Sequence, residues 1–104
     1  MPIGALQMIP GGTKEQYEQI GEKMFGVRSS DFASADAPDG LIMHSAGPAE
    51  DGWYVYDVWE SREHFDRFEQ SKLGPALGEL DLGDSARPEP QFFPIETLVK
   101  GPAL

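Results

Sequence analysis

Two side chains stand where their chemistry is at odds with their surroundings. His44 lies inside the apolar run LIMHSA, residues 41–46, and Asp57 lies inside WYVYDVWE, residues 53–60. Histidine takes and returns a proton near neutral pH without needing a shifted pKa, so a histidine inside an apolar strand is a candidate general base. It is also costly to bury unless its ring nitrogens are paired, and a histidine satisfied by one hydrogen bond in a core or an interface is the simpler role. Asp is disfavoured inside strands. Asp57 therefore either orients His44 or binds a ligand, or else pairs with an arginine from a helix as a structural carboxylate.

The segment between the two runs, GPAEDG at residues 47–52, has the composition of a hairpin loop. A symmetric closure pairs Ala46 with Trp53, His44 with Val55 and Ile42 with Asp57. Paired residues share a sheet face. That register puts His44 on one face with Val55, Asp57 and Trp59, and a one-residue slip sends it to the other. Trp59 is the candidate wall for an aromatic ligand, with core packing as its alternative. Tyr17, Phe65 and Phe68 are the helix residues that reach the same space, although Tyr17 also belongs to an apolar stripe. His64 stands in the first turn of a helix and is expected at the surface.

Other chemistry is poorly provided for. The chain contains no cysteine, which excludes disulfides, thiolate nucleophiles and cysteine-ligated metals. Its two histidines are twenty residues apart and form no His-x-His or Glu-x-x-His pattern, so no metal is expected. Gly11-Gly12 precedes a helix but lacks the spacing of a phosphate-binding loop, and no serine sits in a nucleophile elbow. The net charge of −10, with eight scattered basic residues, argues against nucleic acid and against an anionic membrane surface. No apolar run approaches the roughly 20 residues of a membrane span. With no basic leader ahead of the first strand, a cytoplasmic location is expected. Heavy use of Ala, Gly, Pro and Asp hints at a GC-rich bacterial genome.

The elements that must position these residues can be read in order. IGALQMI, residues 3–9, is a first strand that ends at Pro10-Gly11-Gly12. Thr13 and Gln16 make a capping box that opens a helix, and Tyr17, Ile20, Met24 and Val27 form its apolar stripe, with Glu15, Glu18 and Glu22 on the other side. Residues 29–40 form a loop anchored by Phe32. The hairpin follows. Ser61 then caps a second helix whose inner face carries Phe65 and Phe68, with Arg62, Glu63, Asp66 and Arg67 outward. Gly74-Pro75 breaks or kinks that helix, and residues 76–82 add a turn or two. Residues 91–99 are a last strand, in which Pro94 marks an edge or a bulge.

At 104 residues, 39% hydrophobic and 25% charged, this is one ordinary globular domain, residues 1–104. The order β-α-β-β-α-β predicts an α+β, ferredoxin-like fold: a four-stranded antiparallel sheet with two helices on one face. Two such helices cover only one side of the sheet. The other side carries Tyr54, Tyr56 and Val58, and packing it on a second copy would remove an apolar surface prone to aggregation. A homodimer is expected.

The segment GWYVYDVWESREHFDRFEQSKLGPAL resembles the strand–helix core of the dimeric α/β-barrel superfamily, in particular small proteins similar to antibiotic biosynthesis monooxygenases. Asp57, Trp59, Glu60, Ser61, Phe65 and Phe68 carry the resemblance, which in motif covers about a quarter of the chain. It implies a dimeric α/β barrel with a pocket in each subunit between the sheet and its own helices. It also implies a cofactor-independent monooxygenase acting on an aromatic or polyketide-type small molecule, needing neither metal nor flavin. The superfamily equally contains non-catalytic ligand-binding or assembly proteins, and non-redox cyclases and isomerases in which His44 would be the base. Its haem-degrading branch uses an axial histidine farther along the second helix and an asparagine on the first strand. Here those neighbourhoods offer Glu69, Lys72 and Gln7, so no haem is expected.

Overall fold

The computed structural model describes residues 1–26, 37–79 and 89–103. Val27, Phe32 and positions 80–82, named above as part of a stripe, a loop anchor and a helical extension, lie outside the described residues. The elements are β1 (Ile3–Pro10), α1 (Lys14–Phe25), β2 (Leu41–Ala49), β3 (Gly52–Trp59), α2 (Arg62–Phe68), a π-helical turn (Glu69–Leu73), α3 (Gly74–Glu79) and β4 (Gln91–Pro94). The four strands make one sheet in the order β2-β3-β1-β4, with every neighbouring pair antiparallel. This is an α+β fold compatible with the ferredoxin-like arrangement. Among the described residues no helix is long and apolar enough to cross a membrane.

The capping box forms as the spacing requires. The Thr13 hydroxyl accepts from the Gln16 N–H at 3.1 Å, and the Gln16 side-chain oxygen accepts from the Thr13 N–H at 3.2 Å. Such a cap contributes about 1 kcal/mol. At its other end α1 stops at Gly26, whose φ of 77° is the left-handed conformation glycine adopts without a Cβ penalty. Glu18 departs from its expected place on the solvent side. It is buried, as is Gly21 one turn later, so this flank of α1 is covered as well.

The hairpin register differs from the symmetric closure by two residues. The turn is only Glu50-Asp51, Ala49 pairs with Gly52, and His44 pairs with Asp57 rather than with Val55. Side chains alternate with a period of two, so a two-residue shift leaves His44 on the face of Val55, Asp57 and Trp59. A bulge at Ile42, between Leu41 and Met43, absorbs the extra residue and keeps Leu41 opposite Trp59. The tight turn needs glycine at 52, because a Cβ there would fall 2.2 Å from the Ile9 carbonyl oxygen.

The second helix does not end at Gly74-Pro75. It widens one turn earlier, and the Gly74 N–H donates to the carbonyl of Glu69, five residues back. A proline ring collides with the carbonyl four residues before it in an ordinary helix. The wider turn takes up that conflict and lets α3 continue. β4 is an edge strand as Pro94 predicts, but it ends at Pro94 instead of residue 99. Pro94 pairs with Ile3, the first residue of β1, so the neighbouring strand has run out.

The core lies between the sheet and the helices. Ala5, Trp59 and Phe65 are buried there, with Ile3, Leu41, Phe68 and Phe92 packed against them. Phe65 stands edge-on to Trp59 at 6.0 Å and to Phe92 at 5.1 Å. Burying each aromatic side chain contributes about 1.5–3 kcal/mol. The opposite sheet face is also apolar: Met8, Met43 and Phe93 are exposed on it, beside Tyr54 and Tyr56.

Candidate functional site

Three elements converge on His44. Its Nδ1 lies 2.5 Å from Asp57 Oδ1 on the neighbouring strand. Its Nε2 lies 2.5 Å from the Tyr17 hydroxyl, which α1 brings down onto the sheet. An ionised carboxylate only accepts hydrogen bonds. With Asp57 ionised, Nδ1 carries the proton, a neutral ring then has its lone pair at Nε2, and the Tyr17 O–H donates to it. The result is a continuous chain, Tyr17 O–H to His44 to Asp57, in which each hydrogen serves one contact.

Burial is graded along this chain. The Asp57 side chain is 12% exposed and that of His44 is 28% exposed. The carboxylate is thus the anchored end and the imidazole the accessible one. If a proton moves from Tyr17 to His44, the imidazolium is held between a phenolate and a carboxylate, so the internal transfer leaves the net charge unchanged. Such a chain is able to pass a proton along its length.

The chain forms one side of a cavity of about 130 Å³ between the sheet and the helices. An apolar cavity of about this size accommodates one ring of an aromatic ligand, and further fused rings would extend from its open side. Tyr17, His44, Asp57, Phe65 and Phe68 all line it, together with Trp53. The polar groups apart from this chain are few, chiefly Gln7, Thr13 and Gln16. Gln16 already serves the helix cap.

Trp59 does not line this cavity. Its indole is 1% exposed and packs behind the wall, 5.3 Å from the Phe68 ring. As the strand's last residue, paired with Ile3 and Leu41, it sits beneath α2 instead of beside α1. Trp53 occupies the place expected of it, tilted against Tyr17 at 5.4 Å between ring centroids. The alternation that groups Val55, Asp57 and Trp59 on one face includes Trp53 as well, and this was the available signal. The Tyr17–His44 bond had none, because register relates strands to strands and not a helix to a sheet. Asp57 pairs with this histidine, not with an arginine.

His64 is not at the surface but half-buried, with 22% of its side chain exposed. It fills the space a side chain at Gly40 would need, and its Nδ1 lies 2.7 Å from the Ser61 hydroxyl. Its Nε2 faces Glu60 at 3.7 Å and Asp39 at 3.9 Å. Among the described residues no three His, Asp or Glu side chains gather into a group able to hold a metal ion. Compared with known proteins, the chain matches no family model and no curated relative.

The hydrogen-bond chain predicts one tautomer. Long-range ¹⁵N–¹H spectra, recorded where the His44 ring is neutral, should show the proton on Nδ1. Asp57→Ala should move proton density toward Nε2 and lower stability by about 1–3 kcal/mol, because Nδ1–H loses its acceptor. A proton on Nε2 in the unaltered protein would contradict the assignment.

Proposed function

We propose that this chain is a cofactor-independent monooxygenase of the dimeric α/β-barrel type, similar to antibiotic biosynthesis monooxygenases, acting on an aromatic or polyketide-type molecule. The observation that supports it most is the Tyr17–His44–Asp57 chain on the wall of an otherwise apolar cavity. Trp53, Phe65 and Phe68 hold the flat substrate, with Trp59 bracing them from behind. His44, working through Tyr17, removes a proton from a phenol or an activated C–H, and Asp57 holds the imidazolium that results. The substrate anion then gives one electron to O₂. The radical and superoxide combine to a peroxide, which takes up a proton and loses water to leave a carbonyl. Each turnover consumes one O₂ and releases one water, with the electrons supplied by the substrate. The site needs no flavin, haem or metal in this scheme, and the protein works in the cytoplasm.

The relay also favours one second reading, a non-redox cyclase or isomerase. A chain that accepts a proton at a neutral His44 beside an ionised Asp57 can return it to another carbon of the same substrate, with no demand for oxygen.

Oxygen uptake separates the two. With an anthrone or a quinol as substrate, the protein should consume oxygen in proportion to product, and His44→Ala should slow this by about 10²- to 10⁴-fold. Circular-dichroism melts on the same preparation should show a cooperative fold in both proteins. Uptake no faster than in buffer, or unaffected by the substitution, would refute the oxygenase.

The dimer is proposed on the outer sheet face. Met8, Met43 and Phe93 are 37–45% exposed there, beside the two tyrosines. A second copy laid on this face would cover them at the cost of no new element. Light scattering should give roughly 23 kDa, twice the 11.4 kDa of the chain. A stable monomer at micromolar concentration would contradict this assembly.

A further inference from the structure

A second cleft, of about 470 Å³, opens beside the inner cavity. Phe25, Pro38 and Phe68 line both, and the Phe25 and Phe68 rings are stacked at 6.3 Å where the two meet. Arg67, Ser71 and Lys72 line the outer cleft. Two of the chain's eight basic residues are therefore gathered at one mouth of a molecule with net charge −10.

These two cations face one cleft because of the π-helical turn. In an ordinary α-helix, residues five apart point about 140° away from each other. The turn at Glu69–Leu73 bonds Gly74 back to Glu69, five residues earlier, and this added residue rotates Lys72 toward the side that carries Arg67. The Ser71 hydroxyl is fixed between them by donating to the Arg67 carbonyl at 2.7 Å. Of the nearby carboxylates Asp66 pairs with Arg62 at 3.1 Å, and Asp39 lines the same cleft, 3.9 Å from His64 Nε2. Among the described residues neither Arg67 nor Lys72 is paired with a carboxylate.

We infer that the ligand is an aromatic carboxylate, its ring in the inner cavity and its carboxylate held at the outer cleft by Arg67 and Lys72. The inference rests on the reading of the inner cavity as a ring-binding site. A guanidinium takes a carboxylate through two parallel hydrogen bonds, and an ammonium adds a point charge. The protein's own negative charge repels any anion that lacks such a contact. The pair thus selects carboxylated rings over neutral ones and sets their direction of entry, with the carboxylate last and outermost.

Paired probes test this by calorimetry at low salt: 2-naphthol, and 6-hydroxy-2-naphthoate, which adds a carboxylate to the same ring system. The acid should bind the protein about tenfold more tightly than the naphthol, with the advantage shrinking as salt is raised. The double variant Arg67→Gln/Lys72→Gln changes only exposed side chains. It should lose the advantage while binding 2-naphthol as before. If the naphthol binds and the acid binds no better, or if the advantage survives in the double variant, the inference is overturned and the ring site stands. If neither compound binds, the ring site falls and the inference with it.

Discussion

The structure is organised around a carboxylate that should not be where it is. Asp57 sits in a central strand of the sheet, 9% exposed, between Ala5 on one neighbouring strand and His44 on the other. An ionised carboxylate in such a place demands a donor, and leaving it without one costs far more than a single hydrogen bond returns. His44 is that donor. The pairing constrains its neighbours in turn: β2 must present position 44 opposite position 57, the ring must carry its proton on Nδ1, and Nε2 must be satisfied from above. Tyr17 meets the last requirement, which fixes how α1 lies over the sheet.

The local irregularities serve that constraint or its surroundings. The Ile42 bulge lets Leu41 stay over Trp59 while His44 stays over Asp57. Without it, one of the two would turn to the outer face. The π-helical turn does the same for the second helix. Phe65 and Phe68 keep their grip on the sheet, and the residues beyond Phe68 are rotated so that Arg67 and Lys72 share a cleft. Bulges and π turns weaken regular hydrogen bonding, and they are tolerated here between well-packed segments on either side.

Much of this was legible in the chain. The element order, both helix caps and the edge position of the last strand follow from Thr13, Gln16, Ser61 and Pro94, whose effects are local. The company of His44 and Asp57 was legible for a subtler reason. The hairpin closes two residues away from the symmetric register, yet any even shift keeps the same face. What was not legible depends on how layers meet. Trp59 and Trp53 look alike in an alternating strand, and only the positions of the helices decide that Trp53 borders a cavity and Trp59 is sealed beneath α2. Tyr17 read as one more apolar position, since nothing in a helical stripe says which member will meet a polar group on the sheet. His64 read as exposed because its burial depends on the absent side chain of Gly40, 24 residues earlier in the sequence.

In the proposed function the Tyr17–His44–Asp57 chain moves protons to and from a bound ring. Anaerobic hydrogen–deuterium exchange measures this directly, with no contribution from oxygen chemistry. The methylene hydrogens of an anthrone, incubated in D₂O with the protein and followed by proton NMR, should exchange about 10²- to 10⁴-fold faster than with His44→Ala at equal folded concentration. Exchange no faster than in buffer alone, or equally fast with the variant, would contradict the relay.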